Sequence, residues 1–397
     1  MRTEVMEEMK ESVHTAKRNV TQICSRCIYD NTIPYIDFDG DGVCNYCRQA
    51  DQLATEYPTG AEGQRILEEM CDTIKKAGKG KKYDVVIGVS GGTDSSYMCH
   101  IAKEMGLRPL AAHYDNTWNS KVAVENIQNV LGPLGIDLYT HVVDNREAND
   151  LLRSFMLAST PDIDSPSDLG LATTHYLAAR KFGIKYIFEG HSFRNEGIAP
   201  QGWTYMDARY IQTVQKEFGR EKLETFPNLW MAKWLRWSIL NGIKKIRPLW
   251  WMDNDKEDTK KFLAETYGWQ WYGGHHMENR VSYFTNNYYW PVKFDIDLRY
   301  CELSAQVRTG HITRDEALVE IAKPHTFDPG ILDEVKKRLE FSDAEFDAAM
   351  ALPRKSYRDY RTYKQTFERM KPIFWAMYKL DLVPKSFYMK YTRKYDD

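Results

Sequence analysis

The segment Val85-Val86-Ile87-Gly88-Val89-Ser90-Gly91-Gly92-Thr93-Asp94-Ser95-Ser96 constrains the fold more than any other part of the chain. An apolar run enters two glycines and leaves into a polar stretch that can start a helix, the strand–turn–helix order of a phosphate cradle. Gly91 and Gly92 permit a tight turn whose N–H groups approach a ligand, and Ser90 and Ser95 add hydroxyls. A helix beginning near Thr93 points its free N–H groups and roughly half a positive charge at the same place.

A Walker loop would carry lysine after its last glycine, and none follows here. Asp94 instead sets a carboxylate in the first helical turn beside the phosphates, an arrangement that calls for Mg2+ as a bridge. Ser90, Gly91, Gly92, Thr93, Asp94 and Ser95 resemble the S-G-G-x-D-S signature of the PP-loop ATP pyrophosphatase superfamily. That resemblance implies cleavage of ATP between its α and β phosphates to activate a carbonyl oxygen as an adenylate. Gly88-Val89-Ser90-Gly91-Gly92 also spells the G-x-S-x-G nucleophile elbow. An elbow normally follows several sheet strands, whereas this is the first convincing one, and it leaves Asp94 and Ser95 unexplained. A glycine turn with no ligand is the remaining alternative.

Further strand-like runs at 109–114, 138–143, 184–189 and 245–250 follow the first at 83–89, with helical patterns between the first four. Such alternation predicts an α/β, Rossmann-like domain with a parallel sheet and ligands at the carboxyl ends of its strands. That edge carries Ser90 to Ser95, then His113, Tyr114, Asp115 and Asn116, then Asp144 and Asn145, then Glu189, Gly190 and His191. In a PP-loop protein His113 and Asp115 would lie near adenine and ribose, with Gly190 and His191 facing the reaction centre. His191 is a candidate catalytic group or, equally, a hydrogen-bonded loop histidine.

Four of the seven cysteines form two C-x-x-C pairs, Cys24 with Cys27 and Cys44 with Cys47, sixteen residues apart. This is zinc spacing, and four thiolates complete a tetrahedron with no position open to substrate. A structural Zn2+ in a zinc-ribbon-like module is expected, contributing on the order of 10 kcal/mol to folding. Disulfides and a redox or iron–sulfur role are the alternatives. Asp37-Phe38-Asp39-Gly40-Asp41-Gly42 imitates an EF-hand start, but Arg48 occupies the twelfth position where a bidentate Glu is needed. It reads as a hairpin turn.

These readings divide the chain into 1–58 with the cysteine module, 59–82 as helix and linker, 83–250 as the ATP-binding domain, and 251–397 as a mainly helical substrate or partner region. Helices are expected at 315–321, 333–339, 343–350 and 358–370. His275, His276 and Glu278 form no complete metalloprotease signature and read as a loop. The PP-loop brings no cation of its own, so Lys293, Arg299 and Arg280 are candidates to neutralise pyrophosphate, each of them equally a surface ion-pair partner. The 11 Trp and 25 Tyr gather in the second half. They suit core packing first, and sugar stacking or a membrane-surface face second.

A net charge of -2 gives no overall attraction to nucleic acid or anionic membrane. The N-terminus lacks the apolar core of a signal peptide and no apolar run reaches about 18 residues, so a cytoplasmic protein without a membrane span is expected. No cysteine stands at the N-terminus or in a G-x-C-x-G elbow to act as a built-in glutaminase nucleophile.

Cys24 to Cys47, Ser90 to Ser95, Glu189-Gly190-His191, Phe294-Asp295-Ile296-Asp297-Leu298-Arg299-Tyr300 and Arg308-Thr309-Gly310 together resemble the bacterial N-acetyl sugar amidotransferase family of surface-polysaccharide biosynthesis. The resemblance spans nearly the whole chain. It implies ATP-dependent conversion of an acetamido group on a nucleotide-activated sugar into an acetamidino group, in lipopolysaccharide O-antigen or related glycan biosynthesis. It also implies ammonia from separate glutaminase and cyclase-like subunits related to those of imidazole glycerol phosphate synthase. The alternative within the superfamily is a tRNA-modifying enzyme, to which the near-neutral charge is unfavourable.

Overall fold

The computed structural model describes residues 11–13, 19–274, 277–380, 382–383 and 385–394. Strand β1 (Glu11–Val13) pairs antiparallel with a strand far along the chain, and the cysteine pairs follow it. The second pair opens helix α1 (Asn45–Glu56), whose N-cap is Cys44, with its Sγ accepting from the Cys47 N–H. Helix α2 (Gly60–Ala77) falls within the stretch 59–82 read as helix and linker.

Strands β2 (Val85–Gly88), β3 (Pro109–Asp115), β4 (Asp137–Val142), β5 (Tyr186–Phe188) and β6 (Lys244–Ile246) form one parallel sheet in the order β4-β3-β2-β5-β6. The run 245–250 is a correction, since β6 ends at Ile246 and Pro248 starts a helical turn through Trp251, whereas the first four expected strands are present. Their apolar runs are explained by position, because Val85, Val86 and Ile87 are fully buried at the centre of the sheet. Each such side chain contributes about 1.5–3 kcal/mol on burial. Edge strand β4 instead leaves Leu138 and Val142 exposed.

Helix α3 (Thr93–Glu104) leaves the phosphate loop, and α4 (Lys121–Leu134) and α5 (Asn145–Leu157) follow β3 and β4. Helix α6 (Ser165–Phe182) packs against β2, β3 and β5. Gly170 allows this approach: a Cβ there would lie 2.4 Å from Tyr114 Cζ. The chain runs outward from β2 to β3 and β4, then returns to β5 on the other side. The reversal between β2 and β5 opens a crevice at the carboxyl ends of both strands, where such sheets bind ligands.

Between β5 and β6 lie α7 (Ala208–Phe218) and α8 (Met231–Leu235), and α9 (Lys256–Tyr267) follows β6. The rest is mainly helical, with β7 (His325–Phe327) completing the β1 pair. Helices Arg314–Ile321, Gly330–Arg338 and Asp343–Ala351 match expectation. The expected helix over 358–370 is a correction: a turn at Tyr357–Asp359 precedes a short helix Lys364–Arg369. The cause is side-chain competition for backbone donors, since Tyr363 N–H donates to Asp207 Oδ2 at 2.7 Å. Thr285–Phe294 winds as a π-helix around Pro291, which the sequence patterns did not indicate. The largest apolar cluster joins Val86 and Ile187 of the sheet to Phe284, Phe374 and Tyr391.

Candidate active site

The phosphate loop is fixed by packing as much as by hydrogen bonds. Gly91 has φ +82°, and a Cβ on it would lie 2.2 Å from Ala123 O. Its carbonyl accepts from Trp269 Nε1 at 3.0 Å and Asn126 Nδ2 at 3.3 Å. Ser90 Oγ donates to Glu278 Oε1 at 3.0 Å and accepts from the Gly92 N–H at 3.3 Å. Ser95 Oγ accepts from the Ser90 N–H and donates to Gly92 O. The loop after β5 lies directly against this turn, because a Cβ on Gly190 would meet the Asp94 and Ser95 backbone at 3.2 Å.

The loop opens into a cavity of about 730 Å3 lined by Ser90, Gly92, Thr93, Asp94, Ser95, Glu189, Gly190 and His191. Asp94 Oδ1 is buried with no hydrogen-bond partner. A carboxylate oxygen so placed needs a cation, and the loop therefore fits Mg2+ with a bound polyphosphate. The wall near the loop carries cations that the sequence analysis did not single out: Lys245 on β6, Arg247 just after it, and Lys256 at the start of α9. Lys245 Nζ donates to Glu189 Oε1 at 2.6 Å and Arg247 Nε to Glu189 Oε2 at 3.1 Å. Burial favours a neutral Glu189, but Lys245 and Arg247 outweigh it and hold the carboxyl well below the usual range. Lys256 donates to Glu302 at 3.2 Å; burial opposes its charge, while Glu302, Asp94 and Glu196 together raise its pKa. The i, i+2 spacing of Lys245 and Arg247 was the available signal, obscured by the apolar reading of 245–250.

His191 lines the cavity with Nε2 3.4 Å from Glu196 Oε2. Beneath it on α6, His175 is buried with neither ring nitrogen hydrogen-bonded, and a Cβ on Gly88 would lie 2.1 Å from its Nε2. Burial, then the charge of Lys245, pulls the His175 pKa down to about 3. The unfolded chain would take up this proton near pH 6.5, so the stability tied to neutral His175 is complete above 6.5 and lost as pH falls toward 3. Between pH 7 and 5 the wild type should lose about 2 kcal/mol more stability than His175→Gln, measured by denaturant unfolding.

Five candidates from the sequence lie outside the cavity wall. Lys293 is buried and donates to Ala349 O at 2.8 Å, Met350 O at 2.9 Å and Leu352 O at 3.1 Å. It closes the carboxyl end of helix Asp343–Ala351 and is not positioned to meet pyrophosphate. Lys293→Met should cost about 3 kcal/mol of stability by stranding these carbonyls, with ATP turnover per folded molecule retained. Arg299 grips Asp297, with Nη2 at 2.8 Å from Oδ2, and His325 Nε2 lies 3.0 Å from the same oxygen. His113 Nδ1 meets Val89 O at 2.8 Å, and Asp115 Oδ1 accepts from Thr117 N–H at 2.8 Å. Arg280 likewise pairs with Glu334 at 2.8 Å. His275 and His276 lie outside the described residues, whereas Glu278 of the same segment binds the loop.

The cysteine sulfurs of Cys24, Cys27, Cys44 and Cys47 are buried and lie within 4.8 Å of one another. Cys24 Sγ is 3.9 Å from Cys47 Sγ, and Cys27 Sγ is 3.8 Å from Cys44 Sγ. Ligands about 2.3 Å from one tetrahedral ion are about 3.8 Å apart, so the set fits Zn2+. The Asp37–Gly42 segment turns as expected, with Asp39 Oδ1 accepting from the Val43 N–H. Arg308 Nε donates to Cys47 Sγ at 3.2 Å and its Nη2 to Cys27 Sγ at 3.4 Å. Arg314 Nε binds the Cys24 and Cys27 carbonyls. These arginines tie the module to the C-terminal region and set positive charge beside the thiolates.

The parallel sheet carries Ser90-Gly91-Gly92-Thr93-Asp94-Ser95 from the end of its central strand β2 into helix α3, the strand–loop–helix order expected from the sequence. Within the chain, residues 278–373 match the family described as LPS biosynthesis protein WbpG-like, C-terminal domain. Glu278, the first residue of that match, bonds to the phosphate loop. Uncharacterized protein MJ1599 of Methanocaldococcus jannaschii is 30% identical over 171 residues, 42% of this chain and 58% of that protein. The chain therefore spans less than two thirds of that relative's length. Among solved structures, NMN synthetase from Francisella tularensis is 16% identical with TM-score 0.27, covering 53% of this chain and 86% of that one. NH3-dependent NAD synthetase from Campylobacter jejuni in complex with the nitrate ion is 14% identical with TM-score 0.31, covering 75% and 99%. Among the described residues no helix is long and apolar enough to cross a membrane.

Proposed function

We propose that the protein is an ATP-dependent amidotransferase that converts an acetamido group of a nucleotide-activated sugar into an acetamidino group. The Ser90–Glu278 hydrogen bond is the observation that carries the reading, because it joins the phosphate loop to the WbpG-like domain in one cavity. The cavity supports it chemically. Its polar end holds the loop, Lys245, Arg247 and Lys256; its other end is walled by Leu169, Trp234, Tyr363 and Phe387 and can exclude water from a reactive intermediate.

An amide oxygen is a poor leaving group, and adenylation corrects this. The acetamido oxygen attacks the α-phosphorus and pyrophosphate leaves; ammonia then adds to the activated carbon, AMP departs with the original oxygen, and the amidine remains. Bound Mg2+ would offset phosphate charge beside Asp94. Lys245, Arg247 and Lys256 stabilise the departing pyrophosphate, and His191 with Glu196 is placed to take a proton from the attacking nitrogen. Ammonia comes in this reading from a separate glutaminase with a cyclase-like partner, and the reaction serves a surface glycan in the cytoplasm.

Purified protein with Mg·ATP, ammonium chloride and a panel of nucleotide-linked acetamido sugars tests this. AMP and pyrophosphate should appear only with the correct sugar, whose mass changes by replacement of one oxygen with NH. AMP formation with tRNA and with no sugar would overturn the reading in favour of a tRNA-modifying enzyme.

A further inference from the structure

A second cavity, of about 550 Å3, is lined by Arg209, Tyr357, Arg358, Tyr360, Arg361, Thr362, Lys364, Gln365 and Glu368. Four cations face a single carboxylate there. Lys364 forms a buried part of the wall, its Nζ donating to Tyr391 O and Arg393 O and lying 3.3 Å from Glu368. Arg358 reaches Tyr35 of the cysteine module, with Nη2 donating to the hydroxyl at 3.0 Å. Arg209 and Arg361 are exposed and have no carboxylate partner among the described residues. The Arg209 guanidinium instead lies over the Tyr363 ring, 4.2 Å from its centroid.

An acidic side chain beside either arginine would have been the ordinary way to balance this cleft. Its lining supplies only Glu368, which Lys364 already engages. The planar, permanently charged forks of arginine match phosphate oxygens in pairs, and two uncommitted guanidiniums beside a buried ammonium suit more than one phosphate. The cleft also adjoins the main cavity. Tyr363, under Arg209, lines that cavity, and so does Asp207, which holds the Tyr363 N–H. Phe367 of the helix Lys364–Arg369 faces the main cavity, while Lys364, Gln365 and Glu368 of the same helix face the cleft. A ligand lying across Tyr363 would have its anionic part among the arginines and its other end in the aromatic part of the main cavity.

We infer that the cleft around Arg209, Arg358, Arg361 and Lys364 binds the diphosphate of a nucleoside diphosphate sugar, presenting the sugar to the main cavity past Tyr363. This rests on the amidotransferase reading for the sugar, but not for the diphosphate. It assigns the carrier to the nucleoside diphosphates rather than the monophosphates, a choice the phosphate loop does not determine. ATP occupies the loop side by the same reasoning, since Asp94 and its metal have no counterpart in the cleft.

The test is calorimetric binding to the full chain, with UDP-N-acetylglucosamine, UDP, UMP and inorganic pyrophosphate as probes, at fixed salt and with the loop saturated by a non-hydrolysable ATP analogue. The wild type should bind UDP at least tenfold more tightly than UMP and should bind pyrophosphate. The double variant Arg209→Ala/Arg361→Ala should lose at least tenfold affinity for UDP and for UDP-N-acetylglucosamine, while its affinity for the ATP analogue, measured separately, stays within twofold. Circular dichroism of the double variant confirms folding, and Arg361→Lys alone, which keeps the charge and loses the fork, should show an intermediate loss. Equal binding of UDP and UMP, no binding of UDP by the wild type, or unchanged UDP binding by the double variant overturns the assignment. If that variant loses UDP binding as expected but no sugar elicits AMP from the wild type, the diphosphate site stands and the amidotransferase reading falls.

Discussion

Asp94→Ala is expected to lower sugar-dependent AMP formation by roughly a thousandfold, the scale of removing a group that supports transition-state charge. Asp94 opens α3 at the mouth of the phosphate loop, and one of its buried oxygens has no partner within the protein. Such an oxygen costs free energy in the empty site and regains it only when a cation arrives, so the residue is suited to the loaded state rather than to stability. The variant should therefore fold normally and, without Mg·ATP, gain about 1 kcal/mol of stability. Zinc content should not change. AMP and pyrophosphate measured over a Mg2+ titration, beside thermal unfolding of both proteins, give the comparison; wild-type turnover at saturating Mg2+ would rule out the metal-bridging role.

Removing zinc should have the largest effect on the fold. The cysteine module has little apolar core of its own, and its buried Tyr29, Ile33 and Tyr46 pack with Trp203, Ile296 and Cys301 from elsewhere in the chain. Metal binding of this kind supplies on the order of 10 kcal/mol. Without the ion, four thiols would crowd one buried point, and Arg308 and Arg314 would lose the groups that hold them. Chelation, or Cys24→Ser with Cys44→Ser, should unfold the module and loosen the helix Arg299–Thr309, read as protease cleavage near both. The helix matters to the cavity because Cys301 lines it. One zinc per chain, released as the four thiols are modified, is the matching stoichiometry. A metal-free protein with unchanged protease resistance would exclude a structural role.

What could be read from the sequence was what local chemistry determines. The phosphate loop and the cysteine pairs concentrate their information within a few residues, and the first four strands, unlike the apolar part of 245–250, which turned out to be the helical turn Pro248–Trp251, announced themselves as apolar runs. The cations of the cavity did not, because Lys245 and Arg247 acquire meaning only when β6 lies beside β5 and faces Glu189. Lys256 depends on how α9 is aimed, and Glu278 on a contact across 188 residues to Ser90. Lys293 illustrates the opposite error: a lysine after an aromatic run looked available for phosphate, and its ammonium is consumed by three carbonyls at the end of a helix that no local pattern linked to it. The π-helix at Thr285–Phe294 was hidden for a related reason, since its apolar spacing fits neither of the usual periods.

The bonds from Arg308 to Cys27 and Cys47 have a consequence for the order of events at the ribosome. A zinc ion with four thiolates carries a net charge of about -2, and the side chain that faces it is made 261 residues after Cys47. At a synthesis rate of about 5–20 residues per second, the cysteines wait roughly 13–52 s for that partner. During this interval the nascent module must capture its metal without the guanidinium, or stay open to oxidation and to competing ions. Zinc supply during translation, more than in the finished protein, would then decide how much folded protein a cell obtains.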